Sequence, residues 1–139
     1  MTKHAACLVD ANILIRHLTA DHPRHSPAAR KLFNEAKAGR IRLHIPLIAI
    51  TETIFTLQSF YKIDRADIGR ELLKLLNSPG VTLTCPDWVL EAVESYQARN
   101  VSFGDACLAA ESRAAAIPIA SFDQGLDKLD GVRRYEPEK

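Results

Sequence analysis

The sequence predicts an α/β fold, with helices on both faces of a mostly parallel central sheet. Three observations predict it. Short strand-like runs, mostly apolar, recur at residues 5–9, 43–45, 81–83 and 117–120. Stretches of helical periodicity separate them, and such alternation builds right-handed βαβ units with parallel strands. The first run, Ala5-Ala6-Cys7-Leu8-Val9, is apolar without alternation, as a strand covered on both faces requires. It is therefore expected at the centre of the sheet. Asp10 then falls at its carboxyl end, where open α/β sheets form their ligand crevice.

Composition bounds what such a fold can do. At 139 residues, with 47% hydrophobic and 25% charged residues, the chain suits one soluble domain with a sizeable core. A net charge of +1 sets up no global field for nucleic acid. The three cysteines, Cys7, Cys85 and Cys107, sit among apolar neighbours without metal-ligand spacing. An odd, scattered set reads as reduced core thiols, which points to the cytoplasm. No apolar run approaches the roughly 18 residues of a membrane span, and the N-terminus falls short of a signal peptide.

Each element follows from local signals. Asn12 is expected to cap a first helix carried by Ile13, Leu14, His17 and Leu18. After a breaker-rich connection, Ser26 as cap and Pro27 at the first position open a helix to about residue 38, closed by Gly39. Arg24, Arg30, Lys31, Lys37, Arg40 and Arg42 make this the most basic stretch, read as a solvated face. His17, His22 and His25 lack the spacing and the cysteines of a zinc site. Pro46 starts a helix over residues 47–61 that is apolar nearly all round, so protein should cover both its sides. Asp64 and Asp67 suit the start of a helix over 65–76. Residues 81–83 form a strand, and Pro86 begins a helix to about 99. Ser102 with Asp105 resembles a capping box at the head of a small-residue helix ending near Ala115. A strand over 117–120, a Gly-containing turn and a last short strand at 132–135 complete the domain, before a polar tail.

Four carboxylates stand out by position. Asp10 and Asp123 follow apolar strands, Asp105 opens a helix, and Glu52 is a lone acid on an apolar helix, over Ile48 and beside Phe55. A buried Glu52 needs either an arginine partner or a role in a site. Parallel strands align their carboxyl ends, so Asp10 and Asp123 are expected to meet, with Glu52 and Asp105 facing inward. A crevice of carboxylates repels itself unless neutralised, and all-oxygen donors suit Mg²⁺ or Mn²⁺ rather than zinc. Such ions clamp a phosphate and activate a water.

Val9-Asp10-Ala11-Asn12, Glu52 on its apolar helix, Asp105-Ala106, and Ser121-Phe122-Asp123 together resemble the acidic quartet of PIN-domain nucleases. Order, spacing and chain length match over essentially the whole sequence. The resemblance implies a single PIN-like domain over residues 1–139, a three-layer α/β/α arrangement with a mostly parallel sheet. A compact domain of this size is similar to the VapC-type toxins of toxin–antitoxin pairs. That implies a metal-dependent endoribonuclease, cytoplasmic and homodimeric, held in check by a small antitoxin. By position, Asp10, Glu52, Asp105 and Asp123 would ligate or orient Mg²⁺ or Mn²⁺. Asn12 would hold the Asp10 carboxylate, Ser121 would position a carboxylate or the attacking water, and Asp127 would act as an outer-shell acid. One competing reading is a catalytically silent PIN-like binding module. Another is a phosphatase of the haloacid-dehalogenase type, which Asn12 opposes, because that family expects an aspartate there and a matching lysine.

Overall fold

The computed structural model describes residues 6–84 and 86–137. Ala5 at the start of the first strand, Cys85 as a core thiol and residues 138–139 of the tail lie outside them. The chain divides into two compact units, Met1–Pro86 and Asp87–Lys139.

The first unit contains β1 (Ala6–Leu8), α1 (Ala11–Thr19), α2 (His25–Lys37), β2 (Arg42–Ile45), α3 (Leu47–Ser59), α4 (Arg65–Leu76) and β3 (Val81–Leu83). Its strands form a sheet of order β1-β2-β3, parallel throughout, with Cys7 opposite Leu43 and Leu43 opposite Val81. Leu43 and Ile45 are fully buried, as are Leu14, Ile50 and Leu72 from the surrounding helices. α1 packs against both α2 and α3.

Several expectations need correction in this unit. β1 is an edge strand of its sheet, not the centre, and Leu8 is 73% exposed while Val9 is buried. Within this sheet β1 pairs with β2 alone, and the alternation of Leu8 with Cys7 and Val9 reflects side chains pointing to opposite faces. Asp10, not Asn12, is the N-cap of α1: it is extended, and its Oδ1 accepts the Ala11 N–H at 2.8 Å. Both residue types cap well, and the extended backbone at Asp10 decides between them. Ser26 does not cap α2 either; it lies buried in the first turn, where its Oγ accepts the His22 N–H at 3.1 Å.

α3 departs most from expectation. Ala49, Ile50, Thr53, Ile54 and Leu57 form its buried stripe, with Thr53 Oγ1 donating to the Ala49 carbonyl at 2.7 Å. Ile48 and Phe55 are exposed at 64% and 69%, and Glu52 is exposed between them. Among the described residues, protein therefore does not cover both sides of α3, and Glu52 is exposed. A helix buries only the stripe that meets a neighbour, whatever the polarity of the rest.

The turn before β3 fixes one residue type. Gly80 has φ +84°, and a Cβ there would sit 2.3 Å from the Ala36 carbonyl oxygen. Both the left-handed backbone and the close approach require glycine.

The second unit contains α5 (Trp88–Ala98), α6 (Phe103–Ala115), β4 (Ile119–Ala120), a 3₁₀ turn (Gln124–Lys128) and β5 (Arg134–Tyr135). α5 and α6 pack together through Val89, Ala92, Val93 and Tyr96 on one side and Phe103, Ala106 and Ala110 on the other. Alanines on α6 admit this approach, as their run predicts, and Tyr96 meets Phe103 edge-on at 6.3 Å. β4 and β5 pair in parallel, Ile119 opposite Arg134. Ile119, Leu126 and Leu129 gather on Ala109 to anchor the turn below them. β4 and β5 are shorter than the expected 117–120 and 132–135, and at β4 Pro118 has no N–H for a ladder. No helix among the described residues is long and apolar enough to cross a membrane.

Candidate active site

In the first unit, the end of β1 presents Asp10. Its Oδ1 is held by the amide of Ala11, and no other hydrogen bond reaches this carboxylate among the described residues. Asn12, the second residue of α1, is exposed. It lines a concavity of about 340 Å³ with Ile13, Arg16 and His25. Arg16 and His25 are neighbours that sequence reasoning did not assign to the region. The Arg16 spacing from Asn12 was a usable signal, because residues four apart share a helix face. Glu52 accepts no hydrogen bond and joins no ion pair among the described residues. The arginine partner considered for it is absent there.

The histidines go separate ways. His22 and His25 stack at 3.9 Å, and the His22 Nδ1 accepts the amides of Arg24 and His25 at 3.2 and 2.9 Å. The stacked His22, then burial, then the charges of Arg24 and Arg16 depress the His25 pKa below its ordinary value. His17 instead lies against Phe33 with ring centroids 4.6 Å apart, and its Nδ1 is buried without a hydrogen-bond partner among the described residues. Burial first, then the charges of Lys37 and Arg30, lower its pKa. No three His, Cys, Asp or Glu among the described residues form a metal-holding group, which applies to the acids as much as to the histidines.

In the second unit, Ser102 Oγ accepts the Asp105 N–H at 3.1 Å, so the cap expected from the sequence is present. It uses the backbone of Asp105 and leaves its half-buried carboxylate without a hydrogen bond among the described residues. Ser121 and Asp123 form a compact turn. Ser121 Oγ accepts the Asp123 N–H at 3.0 Å, and Asp123 Oδ1 accepts the Gly125 N–H at 2.8 Å. A Cβ on Gly125 would lie 3.0 Å from that same oxygen, so glycine lets the carboxylate seat itself there. Oδ2 of Asp123 is left free among the described residues.

Asp127 is placed differently from the other acids. Its two oxygens accept from Nε and Nη2 of Arg134 at 3.0 and 3.2 Å. This hydrogen bonding holds the Asp127 carboxyl below the ordinary carboxylate range. Sequence reasoning missed Arg134, because its pairing depends on how β5 returns beside β4.

Asp10, Glu52, Asp105 and Asp123 thus share one property: each keeps at least one carboxylate oxygen free of protein donors among the described residues. By donor chemistry they fit a hard, oxygen-seeking cation such as Mg²⁺ or Mn²⁺. Asp10 and Glu52 belong to the first unit, Asp105 and Asp123 to the second.

A family model for the PIN domain matches residues 7–132, a span that encloses all these acids. The chain belongs to the PIN domain family. That membership accords with the α/β class and with the parallel pairing of every strand. The chain is also similar to a VapC ribonuclease of Aquifex aeolicus (strain VF5), at 24% identity over 131 residues. The similarity covers 94% of this chain and 96% of that relative.

Proposed function

We propose that this chain is a metal-dependent endoribonuclease, the toxin of a type II toxin–antitoxin pair. The observation that carries the reading is the PIN-domain match over residues 7–132, with Asp10, Glu52, Asp105 and Asp123 all inside it. The end-to-end similarity to a VapC ribonuclease supports the substrate and the toxin role.

In this reading Asp10, Glu52, Asp105 and Asp123 would hold Mg²⁺ or Mn²⁺. A bound ion of this kind supplies phosphoryl polarisation and an activated water for hydrolysis of an RNA phosphodiester. The protein contributes positioning. Asp10 is fixed at the head of α1 by the Ala11 amide, and Asp123 by the Gly125 amide. Ser121 sets the backbone of Asp123, while Asn12, expected to hold the Asp10 carboxylate, makes no hydrogen bond to it among the described residues and instead lines a concavity with Ile13, Arg16 and His25. RNA is the substrate, a small antitoxin is the inhibitory partner, and a cytoplasmic homodimer is the working form.

Expression without its partner should arrest growth with RNA cleavage, whereas an equally abundant, folded Asp123→Ala protein should not. Equal toxicity from that variant would overturn metal-assisted hydrolysis. Absence of both toxicity and cleavage in the wild type would leave a silent PIN-like binding module.

A further inference from the structure

We propose that Arg134 is the positioning residue of the Asp123 turn, and that Asp127 serves the site only as the counterion of Arg134. This deepens the nuclease reading and rests on it. Asp123 is exposed and stands outside any strand, tied locally to Ser121 and Gly125. The Tyr135 carbonyl of β5 accepts the Ser121 N–H at 3.0 Å, and Leu126 is buried beyond Asp123, so the backbone is anchored on both sides of the turn. Arg134 adds a side-chain restraint from β5 that ties those two sides to each other. Its Nη1 donates to the Ser121 carbonyl at 3.1 Å, just before Asp123, and its Nε and Nη2 grip Asp127, just after it.

The arginine is itself well held. Its side chain is only 13% exposed, and Glu136 accepts from Nη1 at 2.7 Å. Parallel pairing of Ile119 with Arg134 brings the guanidinium to the end of β4, where the turn begins. A planar fork bound at both carboxylate oxygens sets orientation as well as distance, which a lysine ammonium cannot do. The turn is therefore bracketed on both sides of Asp123 by one side chain.

Metal titrations of RNA cleavage by the full chain test this. Groups that orient a ligating carboxylate typically change metal affinity about 10–100-fold. Arg134→Ala should therefore need at least about tenfold more Mn²⁺ for half-maximal cleavage, with a lower kcat and the KM for RNA nearly unchanged. Arg134→Lys, which keeps the charge and loses the fork, should fall between, and decides the matter if the alanine variant does not fold. Added guanidinium ion should restore part of the loss in Arg134→Ala. Asp127→Asn combined with Arg134→Ala should be no worse than Arg134→Ala alone, because both act through one contact. A folded Arg134→Ala protein with the wild-type Mn²⁺ requirement would overturn the proposal. If the wild type cleaves no RNA, the nuclease reading falls instead, and amide exchange at Gly125 decides for Arg134. Faster exchange in the variant supports positioning, and unchanged exchange overturns it.

Discussion

Glu52→Gln separates fold from chemistry at the position where expectation and structure differ most. Were Glu52 buried against an arginine, removing its charge would strand that cation at a cost of about 3–5 kcal/mol. The structure instead places Glu52 on an exposed face of α3, between Ile48 and Phe55, which are 64% and 69% exposed. No ion pair or hydrogen bond to it occurs among the described residues, and glutamine has the same length. A substitution in such a setting changes stability by no more than about 0.5 kcal/mol, which for a chain of this size is a melting shift near 2 °C. If Glu52 contributes to a metal site, cleavage should fall by about 10²-fold, the usual loss when one electrostatic contact to a charged transition state is removed. The assay pairs thermal melts without metal with cleavage of a mixed RNA substrate in Mn²⁺. Loss of 3 kcal/mol or more with cleavage retained would refute the reasoning and assign Glu52 to the fold.

Other positions give independent checks. Ser102→Ala removes the cap bond to the Asp105 amide and should cost about 1 kcal/mol in denaturant melts, whereas Asp105→Asn should cost less, because its carboxylate makes no cap bond. Gly80→Ala combines a left-handed backbone with a Cβ 2.3 Å from the Ala36 oxygen and should destabilise by at least about 2 kcal/mol; a smaller loss would contradict the close approach of this turn to α2. His17 resists protonation in the folded chain, its pKa lying below 6.5, so its contribution is complete above pH 6.5 and is lost as pH falls from there towards the folded value. Melts between pH 7 and pH 5 should therefore decline more steeply for the wild type than for His17→Gln. His25 retains a share of the same sign in both proteins.

Much of this was legible in the residues because the signals are local. Proline starts, glycine stops and apolar periodicity place α4, β3 and α6 close to where they lie, and the Ser102 cap follows from spacing alone. Covering is not a local property. The apolar character of α3 says that its surface could be buried, yet only contact with a neighbour decides which stripe is. For the same reason the unbroken run before Asp10 reads as a two-sided strand, while β1 lies at the edge of its sheet. The acids were visible by sequence position and family pattern, but the hydrogen bonds that orient them were not. The grip of Arg134 on Asp127 and Ser121 depends on the return of β5 beside β4, which no motif records. Arg16 and His25 reach the concavity beside Asn12 through the crossing of α1 and α2.

The central claim is that the chain hydrolyses RNA through its carboxylates and a divalent ion. Purified protein, stripped with chelator and incubated with mixed RNA, should cleave only after Mn²⁺ or Mg²⁺ is restored, and a folded Asp10→Asn variant should lose about 10²-fold or more of that activity. Cleavage that persists in chelator, or an Asp10→Asn protein as active as the wild type, would contradict the account.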